Sequence, residues 1–130
     1  MKTEGGHPMK YMLLAYTNQA DWDAVDVTSP EFRAMCAFYE NLERELTDSG
    51  ELVMTQGLSD PSLTTTVRKV GGTPIASDGP YAEAKEVLAS FSIIECATHD
   101  RALAITARIV EAVGDTVELR PVMEGDPADV

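Results

Sequence analysis

Tyr11-Met12-Leu13-Leu14-Ala15-Tyr16 is an apolar run without a polar break. Such a run reads as a β-strand buried on both faces of its sheet. A strand of that kind needs a covering layer on each side, and the rest of the chain can be searched for both layers.

The first layer is easily found. Ser29-Pro30-Glu31 opens a helix, with Ser as N-cap, Pro at the first helical position and an acid in the first turn. Phe32, Met35, Cys36, Tyr39, Leu42 and Leu46 follow at steps of three and four, which makes one apolar stripe, and Gly50 supplies the stop. Thr98-His99-Asp100 opens a second helix with Ala102, Ile105, Ile109, Val110 and Val113 on its inner face and Gly114 at its end.

Five further segments read as strands. Leu52-Val53-Met54-Thr55 follows the first helix, and a loop through Gly57 and Pro61 comes next. Thr64 to Arg68 and Pro74 to Ser77 flank Gly71-Gly72, a hairpin signal, with Pro74 favouring an edge position. Leu88 to Cys96, with Phe91, Ile93 and Ile94, reads as a central strand, and Val117, Leu119 and Val122 mark the last one. Thr17 to Thr28 is polar and turn-like; its Trp22 is expected to fold back as a lid over the core or a cleft.

The order is β-α-β, a hairpin insertion, then β-α-β. That predicts an α+β domain, a ferredoxin-like split βαβ sheet with both helices on one face. The other face then lacks a cover. A second copy packed sheet against sheet supplies one, so a symmetric homodimer is expected, with a pocket between sheet, helices and insertion loop.

The bulk properties agree with one domain. The chain has 130 residues, 44% of them hydrophobic. Its net charge of −12 argues against nucleic acid or an anionic membrane as partner, since both demand clustered Lys and Arg. No segment is apolar and long enough to span a bilayer, and the start has no signal-peptide core. Residues 1–8 read as a disordered extension, 9–123 as the domain and 124–130 as a loose acidic tail. Cys36 and Cys96 are expected to be reduced, largely buried thiols, which fits a cytoplasmic location.

Several stretches resemble the YCII-related proteins, in particular the branch named for an Asp-Gly-Pro-Phe motif. They are Met9 to Leu14, Thr66-Val67-Arg68, Asp78-Gly79-Pro80-Tyr81-Ala82-Glu83-Ala84-Lys85-Glu86, and Val117 to Val122. The resemblance implies a ferredoxin-like subunit, two of which form a dimeric α/β barrel, in a bacterial and mostly uncharacterised family. Some members are encoded beside extracytoplasmic-function sigma factors, and relatives of the same fold include muconolactone isomerases and heme- or quinone-handling monooxygenases. Tyr81 stands where the branch has Phe. Ala89-Ser90 stands where small glycines are common. The first helix reads Phe32-Arg33-Ala34-Met35-Cys36-Ala37-Phe38, so the His of the wider group, suspected of acid–base work with an Asp, has no counterpart here.

Asp78, Glu83, Lys85 and Glu86 crowd one loop, and carboxylates beside a Lys shift each other's pKa toward acid–base use. Asp78, Glu83 and Lys85 are therefore the catalytic candidates. The plainer reading is that Asp78 caps its own turn and the others are solvated. Arg68 and Arg120 lie on predicted strands and suit an organic anion, or a cross-strand ion pair. Tyr16, Trp22 and Tyr81 are the aromatic ligand-binding candidates, with Tyr11 and Tyr39 as further rings that could line a pocket. His7 and His99 have no carboxylate at metal-ligand spacing, so no metal or other cofactor is expected. Two functions stay open: a cofactor-free isomerase or lyase moving a proton on a small organic acid, and a non-catalytic ligand-binding or regulatory dimer, with a sigma-factor link implied by the resemblance. A third treats the Asp78 loop as a dimer latch.

Overall fold

A computed structural model of the chain describes residues 7–81 and 85–124. Glu83, most of the expected extension and most of the expected tail lie outside the described residues. The elements are β1 (Met9–Thr17), α1 (Gln19–Asp23), α2 (Pro30–Asp48), β2 (Leu52–Gly57), β3 (Thr65–Val70), β4 (Thr73–Asp78), β5 (Val87–Cys96), α3 (His99–Val113) and β6 (Thr116–Pro121), with a short 3₁₀ turn at Pro61–Leu63. Four strands form one antiparallel sheet in the order β2-β5-β1-β6, while β3 and β4 form a separate two-stranded ribbon. The α+β, ferredoxin-like expectation is met.

Local chemistry explains the boundaries. Ser29 accepts the Phe32 amide at 3.1 Å and caps α2, and Thr98 accepts the Arg101 amide at 3.1 Å and caps α3. At the far end of α2 the amides of Gly50 and Glu51 turn back to the carbonyls of Thr47 and Leu46, at 3.1 and 2.9 Å. That is a Schellman closure. Gly71 and Gly72 both have positive φ, +58° and +84°, the geometry of a two-residue type I′ turn. The register Val70↔Thr73 follows from it.

The core lies between the sheet and the two long helices. Tyr11 and Leu13 of β1 and Ile94 and Cys96 of β5 meet Leu42 and Leu46 of α2 and Ala102, Ile105 and Ile109 of α3. Directly paired residues share a face, so Met12, Leu14, Phe91, Ile93 and Met54 lie together on the opposite face of the sheet. No described helix crosses that face: the two long ones pack on the core side, and α1 contributes Trp22 to a cleft on that same side.

Three expectations need correction. The Thr17–Thr28 stretch is not all turn: Asn18 accepts the Asp21 amide at 2.8 Å and starts α1, a helix too short to show periodicity. Cys36 is exposed, not buried. It follows Met35 and is therefore rotated by roughly 100° from the line of Met35, Leu42 and Leu46 that faces the core. The apolar run of β1 is unequally covered within one chain: Tyr11, Leu13 and Ala15 are buried, whereas Met12, Leu14 and Tyr16 are half-buried.

Ion pairs lock α2 to α3. Arg101 grips Glu51 in a two-pronged contact, Nε to Oε2 and Nη2 to Oε1, both at 2.9 Å. Arg108 joins Glu45 nearby. The Glu51 carboxyl falls from its ordinary 4.5 to about 2, chiefly through the Arg101 hydrogen bonds. A carboxylate with a depressed folded-state pKa stabilises the fold above its ordinary pKa, and that stabilisation fades as pH falls toward the folded value. Chain stability measured by urea unfolding is expected to drop between pH 4.5 and about 2. Glu51→Gln should flatten that part of the profile and cost about 1–2 kcal/mol at neutral pH. An acid profile left unchanged by Glu51→Gln would contradict the assignment.

Candidate functional site

The sheet is filled at one end and hollow at the other, and its register shows why. Across one row, Leu52, Ile94, Tyr11 and Pro121 stand side by side, and their bulk meets the helices. The next row is Thr55, Ser92, Leu13 and Leu119. The third is Gly57, Ser90, Ala15 and Val117, three of them small. The helices cannot close down onto that row, because they are held apart by the bulk at the other end.

The space left is a cleft of about 580 Å³. Its floor is the small row with Thr55 and Ser92, whose hydroxyls pair at 2.8 Å. Met35 and Tyr39 of α2, Ile109 and Val113 of α3, and Trp22 of α1 with Val25 form the walls. The Asp60 carboxylate accepts hydrogen bonds from the Gln19 and Trp22 side chains, which ties α1 to the loop after β2. The volume and mainly apolar walls are those of small-molecule sites.

One titratable group stands out. Gly114 ends α3 at φ +86°, its amide bonded to the Val110 carbonyl at 2.8 Å, and the chain turns so that Asp115 lines the cleft. Burial pushes the Asp115 carboxyl above the ordinary carboxylate range, and the negative charges of Asp21 and Glu86 push the same way. Burial and the Asp115 charge likewise raise the Tyr39 phenol. A half-buried carboxyl with a raised pKa, beside a phenol in an apolar cleft, can give or take a proton.

The residues expected from sequence scatter over three places. Trp22 lines the cleft, and so does Tyr39. Arg68, midway along the ribbon, lies over the Tyr81 ring at 5.2 Å. Asp78 and Lys85 are exposed nearby, Asp78 paired in register with Thr65. Beside them Pro80, Tyr81 and Glu86 border a shallower groove of about 490 Å³ with Leu58 and Pro61. Tyr16 and Arg120 stand on the far face of the sheet, where hydrogen bonding to Glu118 raises the Tyr16 phenol and Arg120 opposes the rise. Asp115 was not foreseen; an acid after a helix-ending Gly is common on surfaces, and nothing local marks it. Among the described residues no group of three or more His, Cys, Asp or Glu is arranged to hold a metal ion, and no helix is long and apolar enough to cross a membrane.

Comparison with known proteins adds two findings. The family described as "YCII-related domain" matches residues 9–126. An uncharacterized protein of Rhizobium meliloti (strain 1021) is 29% identical over 126 residues, 94% of this chain and 98% of the other.

A carboxyl whose folded pKa is raised favours folding only while protonated, below its ordinary pKa; the benefit is lost as pH rises through the shifted value. Asp115→Asn is therefore expected to raise the melting temperature at pH 7 by a few degrees. Carboxyl-carbon NMR should show Asp115 titrating above 3.8, and Asp21→Asn should bring it partway down. Titration of Asp115 at or below 3.8 would remove it as the site's acid–base group.

Proposed function

The chain belongs to the YCII-related domain family, and on that premise we propose that it is a cofactor-free, small-molecule enzyme of the cytoplasm in which Asp115 transfers a proton to or from a ligand held in the cleft. The observation that carries this reading is the Asp115 carboxyl, held above the ordinary carboxylate range at the wall of a largely apolar cleft of about 580 Å³. Perturbed groups in clefts are where acid–base chemistry is found. Tyr39 supplies a second hydroxyl beside it, and Trp22 covers the ligand. Neither Arg68 nor Arg120 lines the cleft, so the anchor for an organic acid expected from sequence is not part of this reading.

The working unit of the proposal is a homodimer joined through the sheet faces, a dimeric α/β barrel. Met12, Leu14, Phe91 and Ile93 make an apolar patch on a face that no described helix covers, and a second copy buries it. The Asp78–Tyr81 segment resembles the motif of the Asp-Gly-Pro-Phe branch. In this proposal it braces the ribbon, since Gly79 bonds Thr64 and Thr66 through its backbone, with N–O distances of 2.6 Å and O–O of 2.7 Å.

A second reading has its own observation. The Arg68–Tyr81 stack, with exposed Asp78 and Lys85 close in sequence and the groove beside Pro80, would place ligand binding at the ribbon base.

A generic probe separates the two. 5-Nitrobenzisoxazole loses its ring C–H proton to a carboxylate base; the electron pair forms a nitrile and the N–O bond breaks to release a coloured phenolate. Wild-type protein is expected to accelerate this elimination, and Asp115→Asn to lose at least tenfold. Gly57→Leu should block it too. Gly57 lines the cleft beside Ser90, and an added Cβ there meets nothing within 4 Å, so a larger side chain has room to fill the space. Arg68→Ala with Tyr81→Ala should leave it intact. No rate above buffer, or full rate in Asp115→Asn, would overturn the reading.

Light scattering tests the assembly. The wild type is expected at twice the 14.1 kDa chain mass, and Ile93→Lys at once. A monomeric wild type would refute the barrel.

A further inference from the structure

We propose that the cleft selects a small organic cation, a protonated amine on an apolar body, and discriminates against organic anions. This rests on the reading of the cleft as the ligand site. The first support is the cleft itself, whose volume of about 580 Å³ and mainly apolar walls suit a compact ligand with an aromatic or aliphatic body.

The second support is where charge sits around it. Asp21 of α1, Glu43 of α2 and Asp115 after α3 reach the lining from three separate elements. Among the described lining residues there is no Lys, Arg or His. Four of the six arginines are placed elsewhere. Arg101 and Arg108 are bound to Glu51 and Glu45, Arg68 lies over Tyr81, and Arg120 is on the opposite face of the sheet. Asp21 takes one hydrogen bond from the Asn18 side-chain amide, which leaves its charge in place. The chain's net charge of −12 deepens the same negative field. An ammonium group entering the cleft supplies the missing counter-charge; a carboxylate meets acidic side chains from three elements and no cation.

The third support is chemical. Trp22 and Tyr39 are the aromatic rings of the lining, and their faces attract cations. The Thr55–Ser92 hydroxyl pair uses one hydroxyl hydrogen in its mutual bond and keeps the other. That hydrogen gives the floor a donor for an oxygen on the ligand body, so a hydroxy- or carbonyl-bearing amine fits better than a plain one.

Three matched probes decide the charge: phenethylamine, 2-phenylethanol and phenylacetate, titrated by NMR at equal ionic strength. The amine is expected to bind at least tenfold more tightly than the alcohol, and phenylacetate not to bind over the same range. Raising salt should shrink the amine's advantage. Asp21→Asn with Glu43→Gln, which keeps Asp115, should reduce that advantage severalfold and leave alcohol binding unchanged. Equal binding of alcohol and amine would overturn the cation inference and leave the cleft reading standing. Phenylacetate binding as tightly as the amine would do the same. Failure of all three to shift the Trp22 and Tyr39 resonances would overturn both.

Discussion

The register between β1 and β5 is the constraint on which the molecule depends. Pairing Tyr11 with Ile94 puts two bulky side chains under α2 and α3, and further along the same pair of strands Ala15 stands beside Ser90. A slip of one residue would send Tyr11 and Leu13 to the far face and bring Met12 and Leu14 inward. The core would then lose its closely packed end and the cleft its shallow floor. One set of backbone hydrogen bonds therefore fixes both where the protein is solid and where it is hollow.

The two ends are held differently. At the solid end Glu51 closes α2 through its amide, accepts the Glu95 amide at 2.8 Å through its carbonyl, and receives Arg101 of α3 on its carboxylate. Three layers meet in one residue. Cys96, beside it, is fully enclosed, and its thiol is pushed up to about 11 by burial first and by Glu51 next. At the hollow end a carboxyl is kept in surroundings that disfavour its charge. Such a group works against stability at neutral pH, a pattern more common in sites than in scaffolds.

Much of the fold was legible because it is written in local chemistry. Ser29 with Pro30, Thr98, Gly50, Gly114 and the Gly71-Gly72 pair each act within a few residues, and all behave as read. What local signals missed is of two kinds. The short helix α1 has too few residues for periodicity, and Cys36 was read onto the stripe by spacing although its angular position lies off it. The cleft was legible only in part. Trp22 was visible as a ring in a polar stretch, and Ala89-Ser90 as a small pair. That Ser90 falls level with Ala15 and Gly57 is a matter of register between strands far apart in sequence. Asp115 becomes unusual only once the fold half-buries it, with the charge of Asp21 on α1 adding to the effect. Asp78, Lys85 and Glu86 crowd together along the chain and are exposed, since crowding in sequence is not enclosure in space.

The β3–β4 ribbon pairs mainly with itself, and its two-residue tip at Gly71-Gly72 is exposed. Its fold is set by a turn that needs no help from the core. New chain ends, an affinity tag or a fluorophore placed between those glycines would leave the sheet register untouched. The tip is thus a natural handle, a point at which the protein can be cut, tethered or joined to another chain while the hollow end of the sheet keeps its shape.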